Sequence, residues 1–89
     1  MTLNPQFAEA HEELGVLLFA EGRTQEAIRS LRKAVELSEE SAVAHSDLGG
    51  ALAQAGQTAE AIVHLRRALA LDPDNAAARE NLARLQRIR

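Results

Sequence analysis

The sequence predicts an all-α fold, a helical-repeat solenoid of two helix–turn–helix repeats closed by a C-terminal capping helix. Three observations predict it. The chain aligns with itself at a shift of 34 residues: 8–41 lie on 42–75 without a gap, and fifteen of the 34 pairs are identical. Within each copy, apolar residues recur at helical spacing on either side of a glycine. The composition suits small helices packed closely: 46% of the 89 residues are hydrophobic and only 2% aromatic, with no cysteine. A core built this way is aliphatic, and it has neither disulfides nor thiolate chemistry.

The elements follow in order. Residues 1–7 read as a connector from an upstream copy, because Leu3-Asn4-Pro5 matches Leu71-Asp72-Pro73 two periods on. Repeat one spans 8–41. Its first helix places Ala10, Leu14, Leu17 and Leu18 on one face. Gly22 stops that helix in a left-handed turn, and Thr24 reads as the N-cap of the next, with Glu26 near the positive end of its dipole. The second helix turns Ala27, Ile28, Leu31, Ala34 and Val35 inward. Repeat two spans 42–75 and follows the same plan. Ala44, Leu48, Ala51 and Leu52 precede Gly56, and Ala61, Ile62, Leu65, Ala68 and Leu69 follow it. Pro73 then ends the pair, since it cannot extend a helix. Residues 76–89 read as the cap: Ala78, Leu82 and Leu85 cover the second pair, while Arg79, Arg84, Arg87 and Arg89 face water. Gly15 and Gly49, with Ala27, Ala34, Ala61 and Ala68, supply the small volumes that let helices approach.

The residues at fixed offsets resemble the tetratricopeptide repeat family, whose 34-residue helix pair carries a W-x2-L-G-x2-Y, A-x3-F, A, P pattern. His11, Leu14, Gly15, Leu18, Ala27, Leu31 and Ala34 stand at these places in repeat one. Repeat two offers His45, Leu48, Gly49, Leu52, Ala61, Leu65, Ala68 and Pro73. His and Leu replace the aromatics, and Glu39 stands where repeat one would have proline, which predicts a looser joint at Ser38–Ser41. The resemblance implies a protein–protein interaction module whose first helices line a concave, partner-binding surface. A stripe on each first helix would form that surface. Glu9, Glu12, Val16 and Phe19 make it in repeat one, Val43, Ser46, Gly50 and Ala53 in repeat two, and Ala77, Glu80, Arg84 and Arg87 in the cap. Glu12, Val16, Phe19, Ser46, Gly50, Ala53, Arg84 and Arg87 are the candidate docking residues, acidic at one end, hollow and apolar in the middle, basic at the other. Some family members clamp a chaperone's C-terminal carboxylate with Lys and Asn along this stripe. Glu12, Val16 and Asp47 stand there instead, which argues against that ligand.

Other functions find little support. Residues 1–44 hold 4 basic and 8 acidic groups, and 45–89 hold 6 and 5. This balance disfavours phosphate binding, including that of the related 35-residue RNA-binding repeats. The longest apolar run, Leu14 to Ala20, falls far short of the roughly 20 residues of a membrane span. With no basic, apolar leader at Met1, the composition fits a soluble cytoplasmic protein. No catalytic, cofactor-binding or metal-binding residues are expected. His11 and His45 repeat each other as helix-contact residues, His64 reads as a surface residue, and His45-Ser46-Asp47 cannot form a triad as neighbours on one helix. A structural or self-associating C-terminal end of a longer helical-repeat array, with no groove ligand, is the alternative reading. In either, the first repeat should leave Phe7, Ala10, Leu14 and Leu17 partly uncovered, and a weak homodimer through that face is expected.

Overall fold

The computed structural model describes residues 5–87, with side chains from Phe7 onward. Leu3 and Asn4 of the connector and Arg89 of the cap lie outside the described residues. The described chain is all-helical: α1 (Pro5–Ala20), α2 (Thr24–Leu37), α3 (Ala42–Gln54), α4 (Thr58–Leu71) and α5 (Ala76–Arg87). α1 pairs with α2 and α3 with α4, while α3 also packs on α2 and α5 on both α4 and α3. The stack measures 44 × 28 × 18 Å. Helices α3 and α5 begin at the two boundaries that the 34-residue period sets. Helix α1 begins at Pro5, inside the stretch read as connector; proline suits a first helical position because its missing N–H has no partner there anyway.

Both intra-repeat turns are built the same way. Gly22 and Gly56 adopt φ of 82° and 81°, a region open to glycine at no steric cost. The Gly22 N–H donates to the Phe19 carbonyl at 3.0 Å and the Arg23 N–H to the Leu18 carbonyl at 2.9 Å. Gly56 to Ala53 and Gln57 to Leu52 repeat these bonds at 3.0 and 2.9 Å, the paired pattern of a Schellman motif. The turn is so tight that the next helix starts one residue early. Arg23, not Thr24, is the N-cap residue of α2, and its carbonyl accepts from the Ala27 N–H at 2.9 Å. Arg23 makes no side-chain cap; its guanidinium instead pairs with Glu26 at 2.7 Å.

The joint at Ser38–Ser41 is tied down without a proline. The Ser41 N–H donates to the Ser38 carbonyl at 3.2 Å, and the Ser41 hydroxyl caps α3 by accepting from the Ala44 N–H at 3.1 Å. The later joint is homologous: the Asn75 N–H donates to Asp72, and Asn75 Oδ1 accepts from the Ala78 N–H at 2.9 Å.

Leu31, Leu48, Leu52 and Leu65 are the largest fully buried side chains. Glycine lets the helices of each pair close on two of them. A Cβ on Gly15 would sit 2.5 Å from Leu31 Cγ, and one on Gly49 2.6 Å from Leu65 Cγ. In repeat two the expected first-helix face, Ala44, Leu48, Ala51 and Leu52, is buried throughout. In repeat one only Leu18 of the expected face is buried, with Ala8 and Gly15 beside it. Ala10, Leu14 and Leu17 are exposed, as is Phe7. The reason is the stack: α2 covers the face of α3, and nothing among the described residues covers the same face of α1. No described helix is long and apolar enough to cross a membrane.

Candidate functional site

Helix α3 forms the floor of a groove. Asp47, Gly50 and Gln54, with Ser46 and Ala53 beside them, recur every three or four residues and so share one side of the helix. Val16 and Phe19 of α1 form one wall, and Ala77, Asn81 and Arg84 of α5 form the other. Two adjoining cavities make up the groove, and they share Phe19, Gly50 and Asn81. Gly50 keeps the middle hollow: a Cβ there would touch Asn81 Nδ2 at 3.4 Å.

Of the eight candidate docking residues, Val16, Phe19, Ser46, Gly50, Ala53 and Arg84 line this groove. Ser46 is buried, and its hydroxyl donates to Asn75 Oδ1 at 3.4 Å, so it supports the cap of α5 as much as the floor. Arg87 is exposed one turn beyond Arg84, outside the lining. Glu12 is also outside the lining, but its charge acts on Asp47. Asp47 and Asn81 line the groove and are missing from the sequence-derived set. Asn81 had a visible signal, since Ala77, Asn81 and Arg84 stand at i, i+4 and i+7; the stripe drawn through Glu80 is one residue off. Asp47 enters the sequence reading only as a group that argues against a carboxylate ligand, and its neighbour Ser46 stands for that level of α3 in the docking set.

Burial, and then the charge of Glu12, push the Asp47 carboxyl up to about 6. Burial, followed by Glu9 and Glu13, raises Glu12 as well. Among the described residues neither carboxylate has an ion-pair or hydrogen-bond partner, and nor does Arg84 at the other end. Two arginines elsewhere are engaged: Arg32 binds Glu60 through both oxygens, and Arg23 binds Glu26.

A second polar cluster lies where α2, α3 and α4 meet. His45 and His64 bring their Nδ1 atoms to 3.0 Å, with ring centroids 5.2 Å apart. His64 is therefore half-buried against His45, not the surface residue that the sequence suggests. His45 Nε2 donates to the Glu39 carbonyl at 2.9 Å. In the neutral ring its Nδ1 must then accept, which makes His64 Nδ1 the donor. Burial, then His45, lowers the His64 pKa; Glu60, whose Oε2 lies 3.8 Å from His64 Nε2, partly offsets this. The pair fastens the Ser38–Ser41 joint to α4. Among the described residues no group of three or more His, Cys, Asp or Glu could hold a metal ion.

Comparison with known proteins agrees with this architecture. A family model described as "Tetratricopeptide repeat" matches residues 6–74. Among solved structures the chain is similar to the crystal structure of MamA, with a TM-score of 0.84 and 26% identity. That match covers 93% of this chain and 48% of the other, so the chain spans about half the length of that structure. No curated protein matches the chain.

Proposed function

The chain belongs to the tetratricopeptide repeat family, a family of non-catalytic protein-interaction repeats, and on that premise we propose that it docks a protein or peptide segment in the groove on α3. The observation that carries this reading is the groove itself: an exposed aromatic, Phe19, faces a floor emptied by Gly50. Aromatic anchors beside a depression commonly dominate binding energy. Val16 and Ala53 extend the apolar middle, and the charges of Asp47 and Arg84 lie at its ends. The partner is a protein, not a nucleic acid or a membrane, a reading that the acidic first half of the chain supports; the place proposed for it is the cytoplasm.

Selection of random peptides on the immobilised protein tests the reading. The selected peptides should lose about 30-fold or more in affinity for Phe19→Ala, an anchor's usual share. Val63→Ala, on the exposed outer side of α4, should bind them unchanged. Peptides that bind Phe19→Ala as well as the wild type would overturn it.

A second reading rests on a separate observation, the exposed apolar face of Phe7, Leu14 and Leu17 on α1. This face supports a role in joining to a further repeat or to a second copy. Sedimentation across a concentration series, with Leu17→Glu as the control, tests it: a monomer at every concentration counts against self-association.

A further inference from the structure

The two ends of the groove carry opposite and unmatched charge. At one end Asp47 and its neighbour Glu12 lack any cation among the described residues. At the other, Arg84 lines the groove and lacks a carboxylate. Asn81 sits beside Gly50, so one turn further along each helix brings Arg84 level with Ala53. From Asp47 to Ala53 is six residues, or about 9 Å of helix at 1.5 Å per residue. Asp47 and Arg84 are therefore too far apart to neutralise each other, and a bound segment can meet both. Between them lie Val16, Phe19 and Gly50, with no charged group.

Resting on the docking reading, we infer that the groove takes a dipolar segment: a partner cation at Asp47 and Glu12, a bulky apolar side chain over Phe19 and Gly50, and a partner carboxylate at Arg84. The geometry sets the spacing. In an extended segment same-side residues recur every second position at about 3.3 Å per residue, so i, i+2 and i+4 span about 13 Å, and the long side chains of Arg84 and of a partner lysine lean inward to meet the roughly 9 Å of helix. In a helix they fall at i, i+4 and i+7. A uniformly acidic segment would meet Asp47 and Glu12, and a uniformly basic one would meet Arg84. Like charges set against each other suppress wrong partners more than matched ones raise affinity.

Labelled synthetic peptides of both spacings test this by fluorescence anisotropy at low salt. One set carries Lys, Leu and Glu, a second Lys, Leu and Lys, and a third Glu, Leu and Glu. The dipolar set should bind about tenfold tighter than either of the others, with the gap narrowing as salt screens it. Arg84→Glu, an exposed change on α5 whose folding circular dichroism can verify, should make the doubly basic peptide the best ligand. Equal binding of all three sets, weakened by Phe19→Ala, would overturn the dipolar preference and leave the docking reading standing. Failure of every set to bind would count against both. Self-association that Arg84→Glu abolishes would make a second copy the occupant and overturn the inference too.

Discussion

Leu14 and Leu48 hold the same place in the 34-residue repeat, yet Leu14 is 46% exposed and Leu48 is 1% exposed. The difference recurs one turn on, where Leu17 is 62% exposed and its counterpart Ala51 is 1% exposed. The local pattern is the same in both repeats; the neighbour is not. Helix α2 lies over α3, and the same face of α1 has no described neighbour. Burial in this fold belongs to the stack, while the contact between the two helices of one repeat belongs to the repeat. Gly15 against Leu31 and Gly49 against Leu65 are nearly identical for that reason.

The largest effect should come from the face that differs. Leu48→Ala should cost about 2–5 kcal/mol, as a fully buried large-to-small change does. Leu14→Ala should cost less than about 1 kcal/mol, because much of that side chain already meets water. Urea unfolding followed by circular dichroism compares the two, and similar losses would break the comparison. The face that does not differ should give the opposite result. Gly15→Ala and Gly49→Ala should each cost about 1–3 kcal/mol and match each other closely, since each new methyl drives into a buried leucine with nowhere to move.

The comparison also shows what was legible in the sequence. Helix order and both left-handed glycines could be read from period and punctuation, because these depend on local chemistry. So could the small residues at the pair contacts. The exposure of Leu14 and Leu17 was legible only in part: helical spacing alone makes them core, and it is the stack that leaves this face of α1 without a described neighbour. The groove was legible as a stripe on successive first helices, with Asp47 on it only as an obstacle to a carboxylate ligand, while Asn81 fell beside it. The His45–His64 contact was not legible at all. It joins residues of different helices at positions where repeat one has His11 and Ser30, so no periodic signal announces it.

Smaller effects sharpen the contrast where repeat two carries groups that repeat one exposes or lacks. Asp47, whose counterpart Glu13 is exposed, has a carboxyl raised to about 6 from an ordinary value of 3.8. Its protonated form is favoured in the fold, so its ionisation costs stability above pH 6, and that cost disappears below 3.8. Asp47→Asn should therefore stabilise the chain at pH 7 by about 1 kcal/mol, less than the full shift implies because groove water screens the charge. The gain should vanish below pH 4.

His64 has the opposite sign. Its pKa is lowered from an ordinary 6.5, so its neutral form is favoured in the fold. That contribution is complete above pH 6.5 and is lost as pH falls through 6.5 towards the folded value. His64→Ser, which copies the residue at the equivalent place in repeat one, should flatten the difference in stability between pH 7 and pH 5. An unchanged slope would mean that the imidazole contact contributes nothing.

The absence of cysteine makes the central comparison directly measurable. Leu17→Cys and Ala51→Cys place single thiols at equivalent positions of the two repeats, and a thiol-reactive dye then reports whether each face is open. Leu17→Cys should react at the rate of a free thiol under native conditions. Ala51→Cys should react at least about 100-fold more slowly, waiting on the opening of the stack. Equal reactivity at the two sites, or equal protection that persists on dilution, would contradict the claim that one repeat buries this face and the other leaves it to solvent.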